Sequence, residues 1–181
     1  MKGELSKKMY ATFDLGLSAA LLPSNFNKRR TGLYVRSSEE VTQIVQIQSS
    51  SSSTSSILKL TVNIGLSSRL LSEALPSSYP PTTEISCQAR TRISSFLGTR
   101  HNDIWWTISD EVTANGASSE VSKLLSEFVI PAMNNLETSE AVLRAWKEPI
   151  PPPPGLLAGG ELRQFFIESL EAALAERRSA L

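Results

Sequence analysis

Arg90 and Arg92 stand two residues apart in a stretch, Ile85 to Ile93, where apolar and polar residues nearly alternate. On a β-strand, residues two apart project from the same face. Their guanidinium groups would therefore sit side by side, an arrangement suited to holding a carboxylate or phosphate through paired N–H donors. Trp105, in the run Asp103 to Ile108, would add a flat stacking surface beside them. Other reactive groups are scarce. The one histidine, His101, lies in a polar run with Arg100, Asn102 and Asp103, and the one cysteine, Cys87, falls on the apolar phase of its strand. That placement makes Cys87 a small core residue and not a nucleophile. One histidine and one cysteine cannot close a zinc site. No phosphate loop or dinucleotide fingerprint is present, because Gly155, Gly159 and Gly160 follow a proline run with no strand before them. The adjacent acids Glu39-Glu40 and Asp110-Glu111 read as solvated turn residues. No catalytic residue, metal or cofactor is expected.

The elements that must position these groups follow from hydrophobic period. Leu5, Met9, Phe13 and Leu17 recur at helical spacing from about Glu4 to Leu22, where Pro23 stops the helix. Lys28, Arg29 and Arg30 read as a solvated turn before a strand. Leu33 to Arg36 and Val41 to Gln48 are predicted strands, the second with Val45 and Ile47 on one face and Gln46 and Gln48 on the other. Ser49 to Ser56, seven serines and one threonine, offers nothing to bury and is expected to be a mobile hairpin loop. From Ile57 to Leu66, Leu58, Leu60, Val62 and Ile64 alternate with Lys59, Thr61 and Asn63, the period of a sheet with one buried face. Leu66 to Leu75 suits a short helix or turn. Ile85 to Ile93 should place Cys87 and Ala89 inward and Gln88, Arg90 and Arg92 outward. Asp103 to Ile108 should place Ile104, Trp106 and Ile108 inward and Trp105 outward.

Five strands without a helix long enough for a parallel crossover predict an antiparallel meander. Helices return after Gly116: one capped by Ser118 or Ser119 and kinked or divided at Pro131, one from Ser139 through Trp146, and a last from about Glu161 to Ala180. Leu162, Phe165, Phe166, Leu170 and Leu174 give that last helix an apolar stripe expected to dock on the rest of the chain. The fold class is thus α+β: an antiparallel sheet of about five strands with helices on one face, plus a C-terminal helix. Residues 1–148 form the α+β domain, 149–160 a Pro/Gly-rich spacer with five prolines between Pro149 and Pro154, and 161–181 the amphipathic helix.

Eighteen basic residues balance eighteen acidic ones, so no global field draws the chain to nucleic acid or to an anionic membrane, and neither is an expected partner. A single cysteine excludes an intramolecular disulfide. Leu15 to Leu22 is too short and mixed for a signal-peptide core or a membrane span, which makes the cytoplasm the expected compartment.

The series Phe26-Asn27-Lys28-Arg29-Arg30, Ile44-Val45-Gln46-Ile47-Gln48, Leu60-Thr61-Val62-Asn63-Ile64-Gly65, Cys87-Gln88-Ala89-Arg90-Thr91-Arg92-Ile93 and Ile104-Trp105-Trp106 resembles, in order, a bacterial family known as domain of unknown function 4304. The resemblance spans roughly residues 5 to 135 and brings no activity with it.

The outward face of the sheet is then the place to look. It gathers Gln48, Asn63, Arg90, Arg92 and Trp105, with almost no acid among the alternating positions. Such a face is either the wet side of an antiparallel sheet or a binding surface for a protein partner or an anionic small ligand. A toxin-neutralising immunity protein is one form of the binding reading. The alternative is an enzyme acting on an anionic small molecule, with Asp103 or His101 as acid or base.

Overall fold

The computed structural model describes residues 2–75, 79–97, 103–148 and 161–180. The expected spacer, 149–160, and His101 lie outside the described residues. Among the described residues, six strands form one antiparallel sheet: β1 (Asn27–Arg30), β2 (Leu33–Ser37), β3 (Val41–Ser49), β4 (Leu58–Ser68), β5 (Ala89–Arg92) and β6 (Trp106–Ile108). β1 to β5 lie in chain order, as a meander requires, and β6 shares the outer edge of β4 with β5. β5 pairs with Asn63 to Leu66 and β6 with Leu58 to Leu60, so the two short strands occupy one edge end to end.

The register fixes the faces. Val45 pairs with Ile64 and Ile47 with Val62, all buried on one side. Helix α1 (Lys2–Leu21) lays Met9, Phe13 and Leu17 on that side, while its Leu5 is exposed. Helix α3 (Glu111–Leu124) adds Ala114, Ala117 and Val121 to the same core. It starts earlier than its serines suggest, because the Asp110 carboxylate accepts from Thr113 N–H at 2.8 Å and caps the first turn. Gly116 is therefore inside the helix and caps nothing. Gly16 has a reason of its own: a Cβ there would lie 2.1 Å from the Ser118 carbonyl oxygen, so only glycine lets α1 and α3 cross this closely.

Pro131 divides the helical run as its ring chemistry demands. Lacking an N–H and crowding the carbonyl four residues back, it follows a π-helical turn, Leu125–Val129, and opens the short helix α4 (Ile130–Asn134). The carbonyls of Met133 and Leu136 both accept from the Gln43 amide, at 2.8 and 3.0 Å. Gln43 sits on the core face of β3, buried, so this polar residue ends a helix from across the core.

Helix α2 (Arg69–Ala74) leaves β4 directly, with Ser68 Oγ accepting from Leu71 N–H. Helix α5 (Ser139–Lys147) and helix α6 (Glu161–Ser179) pack together, Trp146 stacking on Phe166 at 6.0 Å between ring centroids. α6 also lies against α2, burying Ile167, Leu170 and Leu174. Phe165, on the expected apolar stripe, is exposed. Glu40 ties this end together: its carboxylate accepts from Ser139 N–H at 2.7 Å and from Arg177 at 2.8 Å. The Ser139 N–H, more than the Arg177 charge, holds the Glu40 carboxyl below its ordinary range.

Further expectations require correction. The basic run Asn27–Arg30 is an edge strand and not a turn, exposed throughout. Its Lys28 forms an ion pair with buried Asp14, whose carboxylate also accepts from Gly32 N–H at 3.0 Å and Tyr34 O–H at 2.8 Å. Asp14 thereby pins α1 to the β1–β2 hairpin, a long-range link that periodicity does not record. The predicted strand from Ile85 is a strand only from Ala89, since Glu84–Ser86 form a 3-10 turn with Ile85 exposed. That turn carries Cys87 out of phase. The cysteine is half-buried against Leu33, Val35 and Ile44 on the opposite face of the sheet, not in the main core.

Candidate functional site: a recess in the second face of the sheet

The second face is not simply wet. Thr42, Ile44, Thr61, Asn63 and Ser67 are buried on it, and the segment from Tyr79 to Gln88 lies across it. The Thr42 hydroxyl donates to the Tyr79 phenol oxygen at 3.1 Å, Glu84 N–H donates to Gln46 at 3.3 Å, and Gln88 N–H donates to Ser67 Oγ at 3.2 Å. Gly65 is what lets this cover approach. A Cβ at Gly65 would meet Cys87 Sγ at 2.5 Å and Glu84 Cα at 3.2 Å, so the 3-10 turn rests directly on the strand. Burial under the cover pushes the Cys87 thiol up to about 12, which leaves it protonated and unreactive at neutral pH.

Beyond the edge of the cover the face opens into a recess of about 250 Å³ lined by Gln48, Asn63, Glu84, Arg90, Thr91 and Arg92. Gln48 and Asn63 arrive from adjacent strands two residues out of register and so on the same face, since Gln46 is the residue opposite Asn63. The Asn63 amide donates to Gln48 Oε1 at 2.8 Å and to Glu84 Oε1 at 2.9 Å, using both its N–H groups. Arg92 is opposite Asn63 on β5, and Arg90 is opposite Gly65. The two arginines differ in their partners. Arg92 forms an ion pair with Asp103 and lies over the Trp105 ring, 5.2 Å from its centroid. Arg90 is exposed, and its guanidinium has neither an ion pair nor a hydrogen bond among the described residues.

The structure thus brings Gln48, Asn63, Arg90 and Arg92 to one recess and sets Trp105 behind Arg92, half-buried, instead of lining the opening. Sequence reasoning missed Glu84. It precedes the strand and takes no part in the alternation; the nearest signal was its position in a Pro-rich run leading to the arginines. Asp103 was named, but as an acid or base and not as the Arg92 counter-ion. The recess offers paired guanidinium donors, two amides and one carboxylate. Among the described residues no group of three His, Cys, Asp or Glu side chains could hold a metal ion, and no helix is long and apolar enough to cross a membrane.

Residues 17–135 match the family model described as Domain of unknown function (DUF4304), and the chain belongs to that family. The match takes in every strand and each residue of the recess. Comparison with curated proteins and with solved structures finds no match.

Proposed function

We propose that this protein is a non-catalytic binding protein that holds the carboxylate or phosphate of a small ligand at Arg90 and Arg92. The observation that carries this reading is Arg90: a guanidinium without a counter-ion among the described residues, beside a second one held in place by Asp103 and Trp105. The held guanidinium of Arg92 is already organised for an anion, and the free one of Arg90 can close on it as a second donor. Scale favours a small ligand over a broad protein footprint. A stable protein interface takes about 800 Å² from each partner, whereas the Tyr79–Gln88 cover leaves only a recess of about 250 Å³ here. For a protein partner, such as a toxin held by an immunity protein, the recess would serve as the anchor for one acidic side chain. Catalysis through Asp103 gains no support, since its carboxylate is engaged with Arg92.

Calorimetric titration with inorganic phosphate and with succinate tests the reading, run on the natural protein and on the double variant Arg90→Ala, Arg92→Ala. The natural protein should bind at least one of the two anions, and the double variant, its fold checked by circular dichroism, should bind neither. Equal affinity in both proteins, or no binding in either, would contradict the proposal.

A further inference from the structure

The recess holds one charge that an anion does not answer. Glu84 is only 8% exposed, yet no lysine or arginine nitrogen of the described residues lies within ion-pair distance of its carboxylate. Its one side-chain partner is the neutral Asn63 amide, at Oε1. The other oxygen, Oε2, accepts no hydrogen bond from a described residue and is not sealed from solvent, and Glu84 lines the recess. A carboxylate taken this far out of water costs free energy unless a cation or several donors compensate it. The fold nevertheless builds this position with care. Gly65 is bare so that the turn can seat, Gln46 receives the Glu84 N–H, and Asn63 is aligned by Gln48 to donate to Oε1.

Resting on the anion-binding reading above, we infer that the ligand is a small zwitterion, carrying an anionic group for Arg90 and a protonated amine for Glu84. Both charges line one recess without pairing with each other, which is the arrangement an α-amino acid or another amino-carboxylate would complete. A ligand with both charges answers each at once, while a plain anion leaves the Glu84 carboxylate uncompensated and faces its repulsion. The recess also has the scale of such a molecule, falling just below the range of pockets that take drug-sized ligands at about 250 Å³.

The test compares matched pairs of probes that differ only in the amine: glutamate against glutarate, and alanine against propionate. Titrations are run on the natural protein, on Glu84→Gln and on Arg90→Ala. Glu84→Gln keeps an oxygen to accept from Asn63 and so preserves the turn. The natural protein should bind one amino acid at least tenfold more tightly than its deaminated partner. Glu84→Gln should lose that preference while still binding the carboxylate, and Arg90→Ala should weaken both. Binding of glutarate or propionate as tight as that of its amino counterpart would overturn the zwitterion inference and leave the anion reading standing. A preference for the amino acid that survives in Glu84→Gln would overturn the assignment to Glu84. If none of the four probes binds while phosphate or succinate does, the zwitterion inference alone fails; if those two anions do not bind either, both readings fail.

Discussion

Strand β4 carries two kinds of surface on one backbone. Its even-numbered residues from Leu58 to Leu66 are all apolar and buried in a single continuous core shared with residues of α1, α3 and β6. Its odd-numbered residues are Lys59, Thr61, Asn63, Gly65 and Ser67, and four of these five are buried as well. The core face is stabilised by apolar area removed from water, which is non-directional and tolerant of which neighbour supplies it. The other face is held by a short irregular segment through particular hydrogen bonds, Gln46 to Glu84 and Ser67 to Gln88 among them. It depends on a bare glycine to fit, and it stops short of the arginines. The contrast shows how one strand can build a stable domain on one side and a polar recess on the other.

The largest difference between the faces should appear on truncating a core residue. Leu60 is fully buried, and Leu60→Ala should lower unfolding free energy by about 3 kcal/mol, transfer and cavity costs together, as read by urea denaturation. A loss below about 1 kcal/mol would mean that the core face is not the stabilising one.

Gly65→Ala should come next, at about 1–3 kcal/mol, because the added methyl drives Cys87 and the Glu84 turn off the strand. It has a second readout. The Cys87 thiol, held up near 12 by burial, should react slowly with iodoacetamide at pH 8 in the natural protein and many times faster once the cover is displaced. Equal alkylation rates would show that the cover does not rest on Gly65.

A smaller effect of opposite sign is expected two positions away from Asn63. Thr61 Oγ1 is sealed from solvent with no hydrogen-bond partner among the described residues. Thr61→Val removes that unsatisfied group at nearly constant volume and should stabilise the protein by about 1 kcal/mol. A thermal denaturation series would check it, and a clear destabilisation would reveal a partner for the hydroxyl.

Arg90→Ala should be the mildest for stability, within about 0.5 kcal/mol, since the side chain is exposed and makes no ion pair with a described residue. A larger loss would make Arg90 a structural residue instead of a binding one.

Much of the core face was legible because alternation over Leu58 to Ile64 is a local signal that burial enforces residue by residue. The meander followed, since nothing between the strands could serve as a crossover. What was hidden in the sequence is non-periodic. Gln43, Asp14 and Arg36 read as strand or helix polars, yet each is tied to residues far along the chain, Arg36 to Asn134 and Asp14 to Tyr34. Asp110 reads as a turn acid, although it caps α3. The recess was half legible. Gln48, Asn63, Arg90 and Arg92 share a face by strand geometry alone, but Glu84 reaches it through a 3-10 turn that breaks the alternation, and Cys87 changes face for the same reason.

Nuclear magnetic resonance of the tryptophan indoles puts the central claim to its most direct test. Trp105 lies against Arg92 at the recess, whereas Trp106, on the core face, donates its indole N–H to Glu120 at 3.0 Å. With nitrogen-15 labelling each indole gives its own cross-peak, assigned by Trp→Phe substitution, so one residue reports the recess and its neighbour serves as an internal control. Titration with glutamate should shift the Trp105 cross-peak in a saturable way, leave that of Trp106 in place, and cause no shift of Trp105 in the Arg90→Ala, Arg92→Ala variant. A Trp105 cross-peak that stays fixed through the titration, or moves equally in the double variant, would contradict the account.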